Sequence, residues 1–271
     1  MPRPAADRRA EALRRLLLVV VTDRGRCRGA LVKSCEAAVR GGATAVLLRD
    51  LELPRGDRRR LARALRATTR AAGAALLVHS DAALARAVDA DGVHLDSRAD
   101  AAALSAARRA AGPGRLVGVS AHSRAEVLRA ARGGADYAFV GPVSATPSHP
   151  GAPGIGWRAF AIAAEGARIP VLPIGGMDAD APPGRAAAIG AILGAPDPAK
   201  AAASMLRALA GPPPKRGPRP LLDERSLVGR FLRAIGRSPG LALGPGDDAV
   251  VLRDGGLAAA TDMTVEGVHY R

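Results

Sequence analysis

Side chains able to hold an anion or move a proton recur in this sequence just past short β-rich runs. In order they are Asp23 and Arg24, Arg49 and Asp50, His79 to Asp81, Asp96, Ser120 to His122, Thr146 to His149, and the pair Gly175-Gly176. Together they suit an anionic heterocycle on which a proton is moved. Imidazole is the natural group for that step, because its ordinary pKa lies near neutrality. His122 directly follows a β-rich run, with Ser120 before it and Ser123 after it, so it is the first candidate for acid/base work and Ser120 its companion. The alternative is that it caps a helix beginning at Ser123. His79 and His149 are further candidates, equally open to a structural role. His94, inside DGVHL, reads as a packed and hydrogen-bonded residue.

A phosphate grip is expected from backbone amides at Gly175 and Gly176 and at the turn around Gly190, with Arg49 adding charge. A plain turn is the alternative for the glycine pair. The segment 141–157, GPVSATPSHPGAPGIGW, is longer than a strand-to-helix turn needs and carries Thr146, Ser148 and His149. Long loops in compact domains are often functional; a rigid Pro/Gly surface loop is the bland reading.

Positioning these residues falls to an alternation of β-rich and alanine-rich segments. The expected strands are Leu16–Thr22, Ala45–Leu48, Ala75–His79, Gly92–Leu95, Leu116–Ser120, Tyr137–Val140, Pro170–Ile174 and Ala187–Leu193. Between and after them Ala30–Arg40, Arg58–Ala72, Asp81–Val88, Ala101–Ala111, Ser123–Arg132, Trp157–Glu165 and Pro198–Leu209 read as helices. Eight strands wound with helices predict an α/β protein, a (β/α)8 TIM barrel whose strand ends converge on one mouth. The seventh crossover, Gly176 to Ala187, is too short and too rich in proline for an ordinary helix.

Four segments are expected. Residues 1–13 form an N-terminal extension and 14–210 the barrel. The stretch 211–220, GPPPKRGPRP, is a proline-rich linker. Residues 221–271 make a small, incomplete α+β segment with a helix over Glu224–Ile235 and two β-like runs joined by Asp-Gly-Gly.

Composition narrows the function classes. Of 271 residues 48% are hydrophobic and 24% charged, which excludes collagenous, coiled-coil and wholly disordered chains. The net charge of +15 would suit nucleic acid, yet aromatic residues are only 2%, so stacking surface is almost lacking. The arginines are scattered along helices, the basic residues include only Lys33, Lys200 and Lys215 as lysine, and neither Asn nor Gln occurs. We expect no nucleic-acid partner; the charge instead favours small phosphorylated metabolites. Cys27 and Cys35 lack the spacing of a zinc motif or disulfide framework. No apolar run is long enough to span a bilayer and no secretory signal is evident, so no membrane partner and a cytoplasmic address are expected.

A family resemblance rests on VTDR at 21–24, LLRD at 47–50, ADGVHL at 90–95, GVSAHS at 118–123, GADYAFVGPV at 134–143, TPSHPG at 146–151 and PIGGM at 173–177. Together they resemble thiamine phosphate synthase and its relative, the thiazole tautomerase, over about residues 14–210. The synthase branch implies attack of a thiazole phosphate on a pyrimidine cation formed as magnesium-bound diphosphate leaves. Against that pattern Leu47 stands for Gln, Leu51 for Lys, His79-Ser80 for Asn-Asp, Ala99 for the second metal carboxylate with Asp100 one residue off, His149 for Lys and Gly190 for Ser. Arg49, Asp50, Thr146 and Ser148 keep the pattern. His122 matches the proton-shuttling histidine of the tautomerase.

The resemblance with these departures leads us to expect a thiamine-biosynthesis enzyme that isomerises the thiazole phosphate by proton transfer, without a metal. Condensation with hydroxymethylpyrimidine diphosphate, with Mg2+, is the alternative; a non-catalytic binding or scaffold barrel is another. GPGDDAVVL at 244–252 and TDMTVEGVHYR at 261–271 resemble the start of thiamine-monophosphate kinase, which implies Mg2+ and nucleotide binding by Asp247, Asp248 and Asp262. Only the beginning of that family is matched, so kinase activity is not expected of these residues.

Overall fold

Short strands that are apolar at nearly every position are buried on both faces, as parallel strands between a barrel interior and a helical layer must be. The computed structural model describes residues 4–146, 153–177, 182–211, 241–243, 249–252 and 259–260. Eight parallel strands run in order: β1 (Leu18–Val21), β2 (Ala45–Leu48), β3 (Ala75–His79), β4 (Gly92–Leu95), β5 (Leu116–Ala121), β6 (Tyr137–Val140), β7 (Val171–Pro173) and β8 (Ala186–Ala188). Sequence neighbours pair from β1 through β7, and β8 returns to pair with β1. A bridge between Ile174 and Ala187 joins β7 to β8, so the ring is the (β/α)8 barrel expected, closed thinly at that seam.

Helices α1 (Ala5–Arg14), α2 (Leu31–Arg40), α3 (Arg55–Ala71), α4 (Ala82–Ala87), α5 (Ala101–Ala111), α6 (Arg124–Arg132), α7 (Gly156–Ala164), α8 (Gly190–Leu193) and α9 (Pro198–Leu209) complete the unit. Side-chain caps start several of them: Asp81 accepts from Leu84 N–H, Asp100 from Ala103 N–H, Ser123 from Glu126 N–H, and Asp197 from Ala199 and Lys200 N–H. No helix among the described residues lies between β7 and β8, in keeping with the short seventh crossover.

Two differences from the sequence reading have physical causes. The run Ala187–Leu193 is not one strand: β8 ends at Ala188 and Gly190–Leu193 turns into a helix. A short apolar run does not distinguish strand from buried helix, and Ile192 and Leu193 are buried either way. The extension assigned to residues 1–13 contains α1, whose Ala12 is buried with the interior of the barrel.

Strand alternation divides the core. Val19, Val21, Leu47, Leu77, Leu116, Tyr137, Phe139, Leu172 and Ala187 fill the interior, while Leu18, Val20, Val46, Leu48, Leu76, Val78 and Val140 pack outward against the helices. At Gly118 the interior needs glycine for space: a Cβ there would stand 2.0 Å from Cζ of Tyr137 on the neighbouring strand.

The opposite end of the barrel is tied by a repeated device. Thr44, just before β2, accepts through Oγ1 from Leu18 N–H of β1 at 2.9 Å. Asp91, just before β4, accepts from Leu76 N–H of β3 at 2.9 Å, and Asp136, just before β6, from Val117 N–H of β5 at 2.7 Å. Arg66 and Arg108 pair with the two aspartates.

The chain divides into two compact units, residues 1–213 and 214–271. In the second, β9 (Leu241–Leu243), β10 (Ala249–Leu252) and β11 (Ala259–Ala260) form an antiparallel sheet with β10 central. The strands β10 and β11 flank the Asp-Gly-Gly stretch; β9 was not singled out by the sequence reading. The expected helix Glu224–Ile235 and the candidates Asp247, Asp248 and Asp262 lie outside the described residues.

Candidate functional site

Side chains that alternation turns inward become polar where the strands reach their C-terminal ends. On β4, His94 is 2% exposed, with Nε2 3.0 Å from Ser120 Oγ of β5 and Nδ1 3.2 Å from Tyr137 Oη of β6. Its ring centroid lies 4.4 Å from that of Phe139. Burial, and then the neighbouring His79, hold its pKa well below the ordinary imidazole value, so it is neutral and links two hydroxyls. The sequence reading of His94 as packed and hydrogen-bonded agrees with this.

His79, at the end of β3, donates from Nδ1 to the His94 carbonyl at 3.0 Å. Burial lowers its pKa; the hydrogen bond to His94 opposes that, and the positive charges of Arg49 and Arg58 add to the lowering. Arg58 was not singled out in the sequence. It reaches from α3 to the His79 carbonyl and lies 3.8 Å from Asp81. Its place at the first turn of a helix following β2 was the available signal.

Beyond β2, Arg49 donates its N–H to Thr22 Oγ1 at 2.9 Å. Asp50 is buried and accepts from Arg24 N–H through Oδ1 at 2.9 Å, while its Oδ2 has no hydrogen-bond partner among the described residues. The loops after β1 and β2 are thus locked together, with the Arg49 side chain left half-buried near His79.

His122 stands just past β5 and is exposed. Its Nδ1 donates to the Gly141 carbonyl at the end of β6 at 2.7 Å, which fixes the tautomer with Nε2 as the acceptor. Its own N–H donates to Glu126 Oε2 at 2.8 Å, so its backbone joins the start of α6 while Ser123 supplies the cap. Ser120 bonds His94, and no direct hydrogen bond joins it to His122 among those described.

The loop after β6 packs on the turn after β7. Val143 and Ser144 donate their N–H groups to Ile174 and Gly175 carbonyls at 2.9 and 3.1 Å. Gly175 and Gly176 have φ of +91° and +63°, and Cβ atoms there would meet Pro142 Cβ at 2.7 Å and Ser144 Cβ at 2.5 Å. Both demands, conformation and space, call for glycine. Thr146 is half-buried at the far end of this stretch. Ser148 and His149 lie outside the described residues. Gly190 is the first residue of α8 and is exposed, with open space where a Cβ would be.

The magnesium implied by the synthase resemblance needs carboxylates around the ends of β3 and β4. Ser80 and Ala99 occupy two of those positions, Asp100 is engaged as the cap of α5 at 2.8 Å, and Asp96 bonds Arg98 N–H at 2.9 Å. Among the described residues no group of three or more His, Cys, Asp or Glu is placed to hold a metal ion. This part of the rim does not fit a magnesium diphosphate.

Comparison with known proteins follows the same geography. The profile of the family described as thiamine monophosphate synthase matches residues 18–191. The thiamine-phosphate synthase of Roseiflexus castenholzii is 41% identical over 192 residues, covering 67% of this chain and 83% of that one. The putative thiamine-phosphate synthase of Geobacter sulfurreducens is 39% identical over 202 residues, covering 71% and 93%. Among solved structures, thiamine phosphate pyrophosphorylase from Pyrococcus furiosus superposes with a TM-score of 0.63 at 33% identity, covering 72% of this chain and 96% of that one. Strand order, rim motifs and the extent of these matches agree: the chain belongs to the thiamine monophosphate synthase family.

Proposed function

We propose that this barrel is an enzyme of thiamine biosynthesis whose mouth takes a thiazole phosphate. What supports the proposal is the rim: the positive-φ glycine pair after β7, the start of α8 and His122 after β5 all lie at the C-terminal ends of the strands, where main-chain N–H groups would meet a phosphate. The +15 charge favours entry of such an anion.

Two reactions are compatible with that substrate. Synthesis of thiamine phosphate, from hydroxymethylpyrimidine diphosphate and the thiazole phosphate, is the reaction named for the relatives, and the comparisons support it over isomerisation. Isomerisation of the thiazole phosphate is the second reading, favoured by Ser80, Ala99 and Leu51 on the rim and by Leu47 in the interior beneath it, where the synthase pattern has charged or polar groups. In that reading His122 Nε2 accepts a proton from the azole ring and returns it at another ring position. The Gly141 carbonyl holds the imidazole in the tautomer that leaves Nε2 unprotonated at the outset. Ser120, held by neutral His94, offers a hydroxyl on the inner side. Arg49 supplies charge to the substrate's anionic end, and Thr146, Ser148 and His149 are further contacts from the long loop. A kinase role for Asp247, Asp248 and Asp262 would be a separate property of the second unit.

The test incubates the full chain with the non-aromatic tautomer of the thiazole phosphate, with and without magnesium, and then with the pyrimidine diphosphate. Magnesium-dependent release of diphosphate supports the synthase reading; metal-independent isomerisation supports the second. Binding without either reaction overturns both and leaves a binding barrel. For isomerisation, His122→Ala is expected to lower the rate at least ~100-fold. An unchanged rate would remove His122 from the reaction.

A further inference from the structure

A cavity of about 340 Å3 opens at the end of the barrel opposite the mouth, lined by Arg9 of α1, Arg108 and Arg109 of α5, and Gly112 to Arg115 of the turn before β5. Four arginines therefore line one small space. Their carboxylate partners are few and shared. Asp136 is 2% exposed at its side chain and serves both Arg9 and Arg108 while holding Val117 N–H. Asp89 serves Arg115 at 2.8 Å but also Arg8, Arg66 and Arg70. Arg109 has a neutral partner, Ser105 Oγ, at 2.7 Å.

Positive charge is thus in local excess; the basicity of Arg115 is reduced first by burial and then by the Arg8 guanidinium, while Asp89 opposes both. Crowded guanidiniums in a concave site repel one another unless an anion joins them, and their planar forks match phosphate oxygens. The volume lies in the range of small-ligand sites and not of a duplex or peptide groove.

We propose that this cavity binds a small oligophosphate, two or more linked phosphate groups, either free or as the tail of a nucleotide, at a site separate from the mouth. The guanidiniums of Arg9, Arg108, Arg109 and Arg115 would be its ligands. Nothing in this inference depends on which reaction the mouth carries out.

The experiment titrates the full chain calorimetrically with inorganic tripolyphosphate and, in a second arm, with ATP, both without divalent metal and at matched ionic strength. Arg109→Ala removes a ligand without breaking a carboxylate pair, and is expected to weaken binding by roughly tenfold. Arg9→Ala should do the same, with its unfolding midpoint recorded alongside because it also removes one of the two arginine partners of Asp136. Arg63→Ala on the exposed face of α3 and Arg49→Ala at the mouth should each leave the affinity within about twofold. Tighter binding of ATP than of tripolyphosphate in the Arg109-sensitive signal would assign the nucleotide as source; the reverse would assign the free oligophosphate. Loss shared equally by Arg63→Ala would mean diffuse charge attraction and overturn the site. So would loss confined to Arg49→Ala, or no effect of Arg109→Ala.

Discussion

A serine at position 190 would enter open space, because nothing lies within 4 Å of a Cβ built on Gly190 and its backbone is not in the left-handed region. If the start of α8 receives the phosphate, Gly190→Ser adds a hydroxyl donor to it. The expected outcome is thiazole-phosphate binding tightened by up to ~10-fold in a calorimetric titration, with the unfolding midpoint unchanged. Weaker binding would show that the phosphate lies elsewhere. At this scale the sequence was informative about residue type more than about partnership. His122 and Ser120 both lie near the end of β5 as read, yet Ser120 hydrogen-bonds to His94 and His122 to a backbone carbonyl. Those links run between strands adjacent in space and separated by 19 to 26 positions in the chain, so no local pattern announces them.

At the scale of elements, β5 and β6 fit only because one side gives way to the other. Gly118 faces Tyr137 in register, and the tyrosine is fully buried with its hydroxyl engaged by His94. Gly118→Ala forces the ring or the strand to move, and is expected to destabilise the barrel by at least ~1–3 kcal/mol in urea unfolding. A cost below about 0.5 kcal/mol would mean that the interior has room for a methyl group beside Tyr137. Seven of the strands were legible because parallel strands buried on both faces appear as bare apolar runs bounded by glycine, proline or aspartate. The eighth was misread from Ile189 onward, where burial alone does not choose between strand and helix. The helix α1 escaped notice because only Ala12 of its residues is buried, which leaves almost no apolar stripe to see.

For the molecule as a whole, two inward histidines set a pH limit. His79 and His94 both have folded-state pKa values below the ordinary 6.5, chiefly through burial. On acidification the unfolded chain takes up these protons first, so their full contribution to stability is present above about pH 6.5 and is lost as pH falls below it. Thermal unfolding followed from pH 7.5 to pH 5 is expected to show a falling midpoint. His79→Asn should make that fall shallower. The same slope in variant and wild type would mean that His79 ionises freely in the folded state. Asp89 does not confuse the result. Burial opposes its ionisation but Arg8, Arg66 and Arg115 outweigh that, so its effect is lost only below the usual carboxylate range.

The ties at Thr44, Asp91 and Asp136 group the first six strands in twos, each bond spanning only 15 to 26 positions of chain. Such a ring behaves as a necklace of prefabricated links. If its ends were ligated and a new opening introduced, a cut near Gly73, between the second link's first strand and the one before, would leave all three clasps short-range. A cut between β3 and β4 would turn the clasp at Asp91 into one of the longest closures in the chain, and assembly of that permutant should be slower.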